Sequence, residues 1–309
     1  MEALTITALT QILIMFFIII VGVICFKLKL IDKATNKKLS EMVLLLVNPI
    51  VIFVSYQREF DAALMKGLLI SLLLGFITHV AGIVVSILLL HKNKHESDIA
   101  IERFAVIYAN CGFMGIPLVY GVFGSEGVFY LTAYVMIFNL FVWTHGVISM
   151  TGKKDLKTVV TACLSPSMLA NIFGFTLFIT RITLPEVLID SLNYLGNMNT
   201  PLAMMVAGAT IAQNDILKLL GKFRIYYISF LKLLFVPLVM LFIYSLFDIP
   251  KIVLLTSVLA VSCPTAVTIS LFSMRFNKNY LYASELFAMT TILSVITIPL
   301  VMAIAGFLV

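Results

Sequence analysis

The run Asn110-Cys111-Gly112-Phe113-Met114-Gly115-Ile116-Pro117 lies inside an apolar segment, yet it packs two glycines and a proline into eight residues. Those residues leave several backbone donors and acceptors without helical partners. Hydrocarbon cannot satisfy them, so such backbone must be buried in protein or line a watery cavity. The half-helices flanking a break carry partial charges at their ends, and an N-terminal end with free N–H groups can hold a carboxylate. A second break is expected around Ser262-Cys263-Pro264-Thr265, with a further hydroxyl at Thr268. Either run alone could be a simple proline kink. Two of them, half a chain apart, point to a binding site built from Asn110, Cys111, Gly112, Gly115, Pro117, Cys263, Pro264 and Thr265.

Other polar groups at lipid depth could join them. Asn48, beside Pro49, and Asn139 are neutral amides that could bond a neighbouring helix, worth roughly 1 kcal/mol, or hydrogen-bond a solute. Lys232 lies eight residues past Arg224, about 12 Å into its apolar run at 1.5 Å per residue. It could snorkel to the interface or serve as a counter-charge for an anion. Glu285 and His79 are candidates for charge coupling, although a packed neutral imidazole is the simpler reading of His79. Glu41 and Asp190 fall near interfaces, where solvation accounts for them.

Enzyme signatures do not occur: there is no HExxH pair, Walker sequence, GxSxG elbow or pair of intramembrane aspartates. A non-enzymatic chain without cofactor is expected. Cys25, Cys111, Cys163 and Cys263 all sit in apolar stretches without CxxC spacing, so neither a disulfide nor a metal site is expected.

The elements that must position these residues are membrane helices. Of 309 residues, 61% are apolar and 12% charged, and the mean hydropathy is +1.11. A soluble domain carries about twice that charged share, so most of this chain must face lipid. Runs near the roughly 20 residues needed to cross a bilayer fall at 6–26, 38–56, 67–90, 103–121, 126–149, 159–180, 187–212, 224–247, 251–273 and 280–307. The N-terminus lacks a positive leader region, and the first run reads as a retained helix. The net charge of +6 does not mark a nucleic-acid binder, because the basic residues lie in short segments between apolar runs.

If those segments alternate sides, the odd ones hold Lys27, Lys29, Lys33, Lys37, Lys38, Lys92, Lys94, Arg103, Lys153, Lys154, Lys157, Lys218, Lys222, Arg224, Arg275 and Lys278. The even ones hold only Arg58, Lys66, Arg181 and Lys251. This asymmetry assigns the odd loops to the cytoplasm and both termini to the outside of the cell membrane. Ten spans divide into two five-helix halves, 1–155 and 156–309. An odd number per half means that related halves must be inverted. The expected fold is an all-α polytopic membrane protein of two inverted repeats, with broken helices 4 and 9 crossing.

At Asn110 to Leu118 the sequence resembles the auxin efflux carrier family, whose fourth span carries Asn-x-x-x-x-Gly-Ile-Pro-Leu. Asn48-Pro49, Pro201-Leu202 with Gly208-Ala209, Lys232 with Pro237, and Pro264 add weaker matches over nearly the whole chain. The resemblance implies a scaffold of spans 1, 2, 6 and 7 that forms a homodimer, and a mobile domain of spans 3–5 and 8–10. A small organic anion would bind at the crossing, near Asn110, Pro117, Asn139 and Pro264, and an elevator-like shift would expose it alternately to each side. Asn139 stands where plant members carry Gln, and the long central loop of long plant carriers is missing, so a bacterial-type carboxylate permease is the closer analogy. The alternatives are a receptor that binds an organic anion without moving it, and a channel, which sparse intramembrane charge disfavours.

Overall fold

The computed structural model describes residues 2–91, 96–152, 164–215 and 221–308. Lys92, Lys94, Lys153, Lys154, Lys157, Cys163 and Lys218, together with the start of the expected sixth span, lie outside the described residues. Throughout the described residues the regular structure is helical, and the sole β feature there is an isolated bridge between Ala109 and Thr265.

In chain order the helices are α1 (Glu2–Lys27), α2 (Lys33–Ser55), α3 (Ala62–Leu89), α4 (Glu96–Ile107), α5 (Cys111–Thr151), α6 (Pro166–Thr180), α7 (Glu186–Gly196), α8 (Asn199–Ile211), α9 (Phe223–Ser245), α10 (Lys251–Ser262), α11 (Thr268–Arg275) and α12 (Tyr280–Leu308). Six of them, α1, α2, α3, α5, α9 and α12, are long and apolar enough to cross a bilayer, and α6 and α10 are shorter apolar helices. The chain is a multi-pass membrane protein.

The 41 residues of α5 would run about 60 Å if straight, twice the hydrocarbon thickness. They do not run straight. Gly124 has φ 64° and ψ −157°, a region open essentially only to glycine. A Cβ placed on Gly127 would lie 2.9 Å from the Val119 side chain, whereas eight residues of straight helix span about 12 Å. The chain therefore turns back on itself at Gly124, between the two stretches expected at 103–121 and 126–149.

Other boundaries differ from expectation for identifiable reasons. Helix α2 starts at Lys33 rather than 38 because Asp32 caps it, accepting the Thr35 N–H at 2.7 Å. That bond from the Thr35 backbone holds the exposed Asp32 carboxyl below its ordinary pKa. The expected span 187–212 is two helices, α7 and α8, parted at Asn197 and Met198 ahead of Pro201. Three wide, π-type turns (Val43–Val47, Cys111–Gly115 and Leu231–Phe235) each end two residues before a proline, at Pro49, Pro117 and Pro237. A proline cannot donate to the carbonyl one turn back and its ring crowds that carbonyl, so the turn widens locally.

Packing is close where small residues meet. Helix α1 lies along α8, and a Cβ on Gly22 would sit 2.3 Å from the Met205 carbonyl oxygen, one on Gly208 2.0 Å from that of Ile19. Glycine at these positions lets the two backbones touch, the usual source of helix association within lipid. Helix α3 packs on α5, α2 on α6 and α7, and α10 lies between α5 and α12.

Candidate functional site

Helix α4 stops at Ile107 and α5 starts at Cys111, while α10 stops at Ser262 and α11 starts at Thr268. Between each pair the helix is interrupted, and the two non-helical pieces bond to one another through an antiparallel bridge at Ala109 and Thr265. The Asn110 N–H donates to the Pro264 carbonyl at 2.7 Å, and the Ala266 N–H donates to the Tyr108 carbonyl at 2.9 Å. Groups freed by one break are thus satisfied by the other. The Thr265 hydroxyl donates to the Ala105 carbonyl at 3.0 Å, and its N–H to the Thr290 hydroxyl at 3.2 Å. Cys111 and Cys263 are buried here, and a Cβ on Gly115 would be 3.4 Å from each side chain.

A cavity of about 160 Å³ opens beside this crossing, lined by Asn48, Asn110, Gly112, Phe113, Phe138, Asn139, Trp143 and Val267–Thr268 among others. Asn110 is only 4% exposed, yet neither its amide nor that of Asn139 makes a hydrogen bond to protein among the described residues. The Thr268 hydroxyl is shielded from solvent and has no partner either. Near the starts of α5 and α11, the N–H groups of Phe113, Val267 and Thr268 have no backbone acceptor among the described residues. Two half-helix N-termini and the unpaired amides of Asn110 and Asn139 therefore lie around one cavity.

Pro117 lines a second cavity of about 250 Å³ with Ser125, Asn193, Asn197, Asn199 and Thr200. Ile116 lines both cavities, and an amide pair separates them: Asn48 donates to the Gly112 carbonyl at 3.3 Å and accepts from the Asn199 amide. Asn48 is thereby a bridge between helices, the first of the two roles open to it from sequence.

The charged candidates part ways. Lys232 is fully buried and does not snorkel; its Nζ donates to the Val261 carbonyl at 3.3 Å, in the last turn of α10 before the break. A cation at a helix C-terminus complements the helix dipole. No carboxylate pairs with it among the described residues. Glu285, by contrast, is held by Lys222, whose Nζ lies 2.6 Å from both carboxylate oxygens, so it is occupied structurally. His79 is buried, bonds the Gly75 carbonyl through Nδ1 at 2.7 Å and stacks on Phe141, as a packed imidazole does.

Asn199 and Glu102 had no place in the sequence reading. Asn199 is the mate of Asn48, and an amide beside Thr200-Pro201 was the available signal. Glu102 is 1% exposed and receives Arg224 through two bonds, at 2.9 and 2.5 Å, and the Tyr282 hydroxyl at 2.9 Å. Its position beside Arg103, at what looks like a membrane edge, concealed it.

Interrupted helices pair with one another beside a largely apolar cavity in a multi-pass membrane protein. The chain belongs to the membrane transport protein family, that of the auxin efflux carriers, whose family model matches residues 7–302. Its members are transporters and not enzymes. No curated protein sequence matches the chain.

Proposed function

We propose that the protein is a secondary transporter of small organic anions in the cell membrane, working by an elevator-like exchange of access. The observation that carries this reading is the convergence of two half-helix N-termini with the unpaired amides of Asn110 and Asn139 on one cavity. Each N-terminus presents about half a positive charge together with free N–H groups. A carboxylate is the ligand that such a surface fits.

Lys232 supports the same reading. Holding a charge in a buried, unpaired state costs several kcal/mol, and a bound anion would offset part of that cost. In the proposed arrangement the chain crosses ten times: α4 with the first part of α5 forms one broken span, α10 with α11 the other, and α7 with α8 a single span. Spans 1, 2, 6 and 7 make a dimerising scaffold, and the crossing moves with spans 3–5 and 8–10. The lysine-rich odd loops put both termini outside. The Asn48 bond to the Gly112 carbonyl then joins the two bodies in one of the two states.

The test is uptake of carboxylates into proteoliposomes. Asn110→Ala is expected to abolish transport while leaving expression and thermal stability near wild type. Unchanged uptake over a panel of monocarboxylates and dicarboxylates would refute the site, and saturable binding without counterflow would favour a receptor instead.

A further inference from the structure

Resting on that reading, we infer that transport is coupled to protons and that His145 takes the proton, so that an anion and a proton move together. The observation that points to it is a fourth wide, π-type turn, Val142–Gly146 in α5. Each of the other three ends two residues before a proline, whereas the corresponding position here is Ile148, so this widening has another cause. Inserted polar side chains supply it. The Tyr108 hydroxyl, reaching across from the end of the broken span, donates to the Phe141 carbonyl at 3.0 Å, and His145 Nδ1 lies 2.9 Å from the same hydroxyl oxygen. With the Tyr108 proton already used, Nδ1 carries a hydrogen and donates. On the other side of the ring, Nε2 lies 3.3 Å from Ser149 Oγ. A hydroxyl both donates and accepts, so Ser149 satisfies Nε2 as a bare nitrogen and equally as an N–H. Imidazole and imidazolium thus fit the same partners.

The other candidates for a mobile proton are committed elsewhere. His79 bonds a carbonyl and is enclosed by the rings of Tyr134, Phe138 and Phe141, which would not solvate a charge. Glu102 and Glu285 are neutralised by Arg224 and Lys222. His145 is half-buried, within two turns of the end of α5, and no carboxylate pairs with it among the described residues. The charged and titratable groups that face it are Arg103 of α4, Tyr108 and His79 of α3. On α4, Asp98 and Glu102 are turned to Asn279 and Arg224, and α11, which packs on the end of α5, carries its one charge at Arg275. Two links join His145 to the site. Trp143, in the same widened turn, lines the cavity, and Tyr108 stands two residues before Asn110, its carbonyl accepting the Ala266 N–H at the crossing. An imidazolium adds a positive charge behind the cavity wall, and by reciprocity proton and anion each favour the binding of the other. His145 itself is not part of the lining, so the wall stays intact without it.

The experiment uses the full-length protein in liposomes, with labelled pyruvate, lactate, malonate and succinate as probes, protein-free liposomes as the leak control and the membrane potential clamped at zero. A probe that the wild-type protein exchanges should accumulate about tenfold when the outside is one pH unit more acid and one proton moves with each anion. Its entry without a gradient should acidify the lumen. His145→Asn keeps a donor for Tyr108 and cannot titrate. It should exchange the probe at about pH 8, where the wild-type ring is neutral too, yet accumulate none under the gradient. His145→Gln, which keeps a donor for Ser149 instead, repeats the test should the first variant not fold, and lumen acidification tests the coupling with no variant at all. The inference is overturned if the wild-type protein exchanges a probe without accumulation or acidification, or if either variant accumulates it as the wild type does. Those results leave an anion carrier standing. Failure of all four probes to exchange would remove the carrier reading and this inference with it.

Discussion

Two regions of the molecule bury charge, and they do so in opposite ways. Near the starts of α9 and α12, Glu102 is surrounded by Arg224 and Tyr282, and Glu285 is gripped by Lys222. At the crossing, Lys232 is fully enclosed, and its one hydrogen-bond partner among the described residues is the Val261 carbonyl. The first region is complete as it stands. On the proposed reading the second is completed when something negative arrives, and that incompleteness separates a site from a brace.

The contrast can be broken experimentally. The largest effect is expected from Lys232→Met, which removes the unpaired charge and keeps a long side chain. Anion transport should fall about a thousandfold, equivalent to about 4 kcal/mol, while thermal unfolding of the purified protein moves upward, since an isolated buried charge destabilises. Transport that survives this change would show that the lysine only caps α10.

Arg224→Ala should do the reverse. It leaves Glu102 buried and partly bereft, costing about 3 kcal/mol of stability, read as a lower unfolding temperature and lower yield. The protein that does fold should bind its solute with wild-type affinity. A selective loss of affinity at unchanged stability would move this pair out of the structural class. The smallest effect belongs to Lys222→Ala, because Lys222 is 44% exposed and water screens its pair with Glu285. A change of about 1 kcal/mol or less is expected, and larger pH-dependent changes in transport would return Glu285 to the list of coupling groups.

The breaks were legible in the sequence because glycine and proline both weaken a continuous helix, and clustering them inside an apolar run concentrates that effect at one depth. Asn110, Pro117 and Pro264 could be named for that reason. Their mutual pairing could not, since the Asn110 and Ala266 N–H groups find carbonyls more than 150 residues away along the chain. Lys232 shows the same limit. Depth along a helix is countable, but whether a lysine reaches outward or inward depends on the face it occupies and on a Val261 carbonyl supplied by another helix. Thr268 was visible as a flanking hydroxyl, as was Ser262, whose hydroxyl is spent on the Val258 carbonyl. The turn at Gly124 was foreshadowed by the length of the apolar stretch, which exceeds what one crossing can use.

The contact between α1 and α8 has a mechanical corollary. With Gly22 seated against the Met205 carbonyl and Gly208 against that of Ile19, the two backbones interlock like the teeth of a clasp, and neither can slide past the other without steric collision. These helices must travel, or stay still, as one piece. Any large rearrangement that admits a solute has to be accommodated at joints other than this seam.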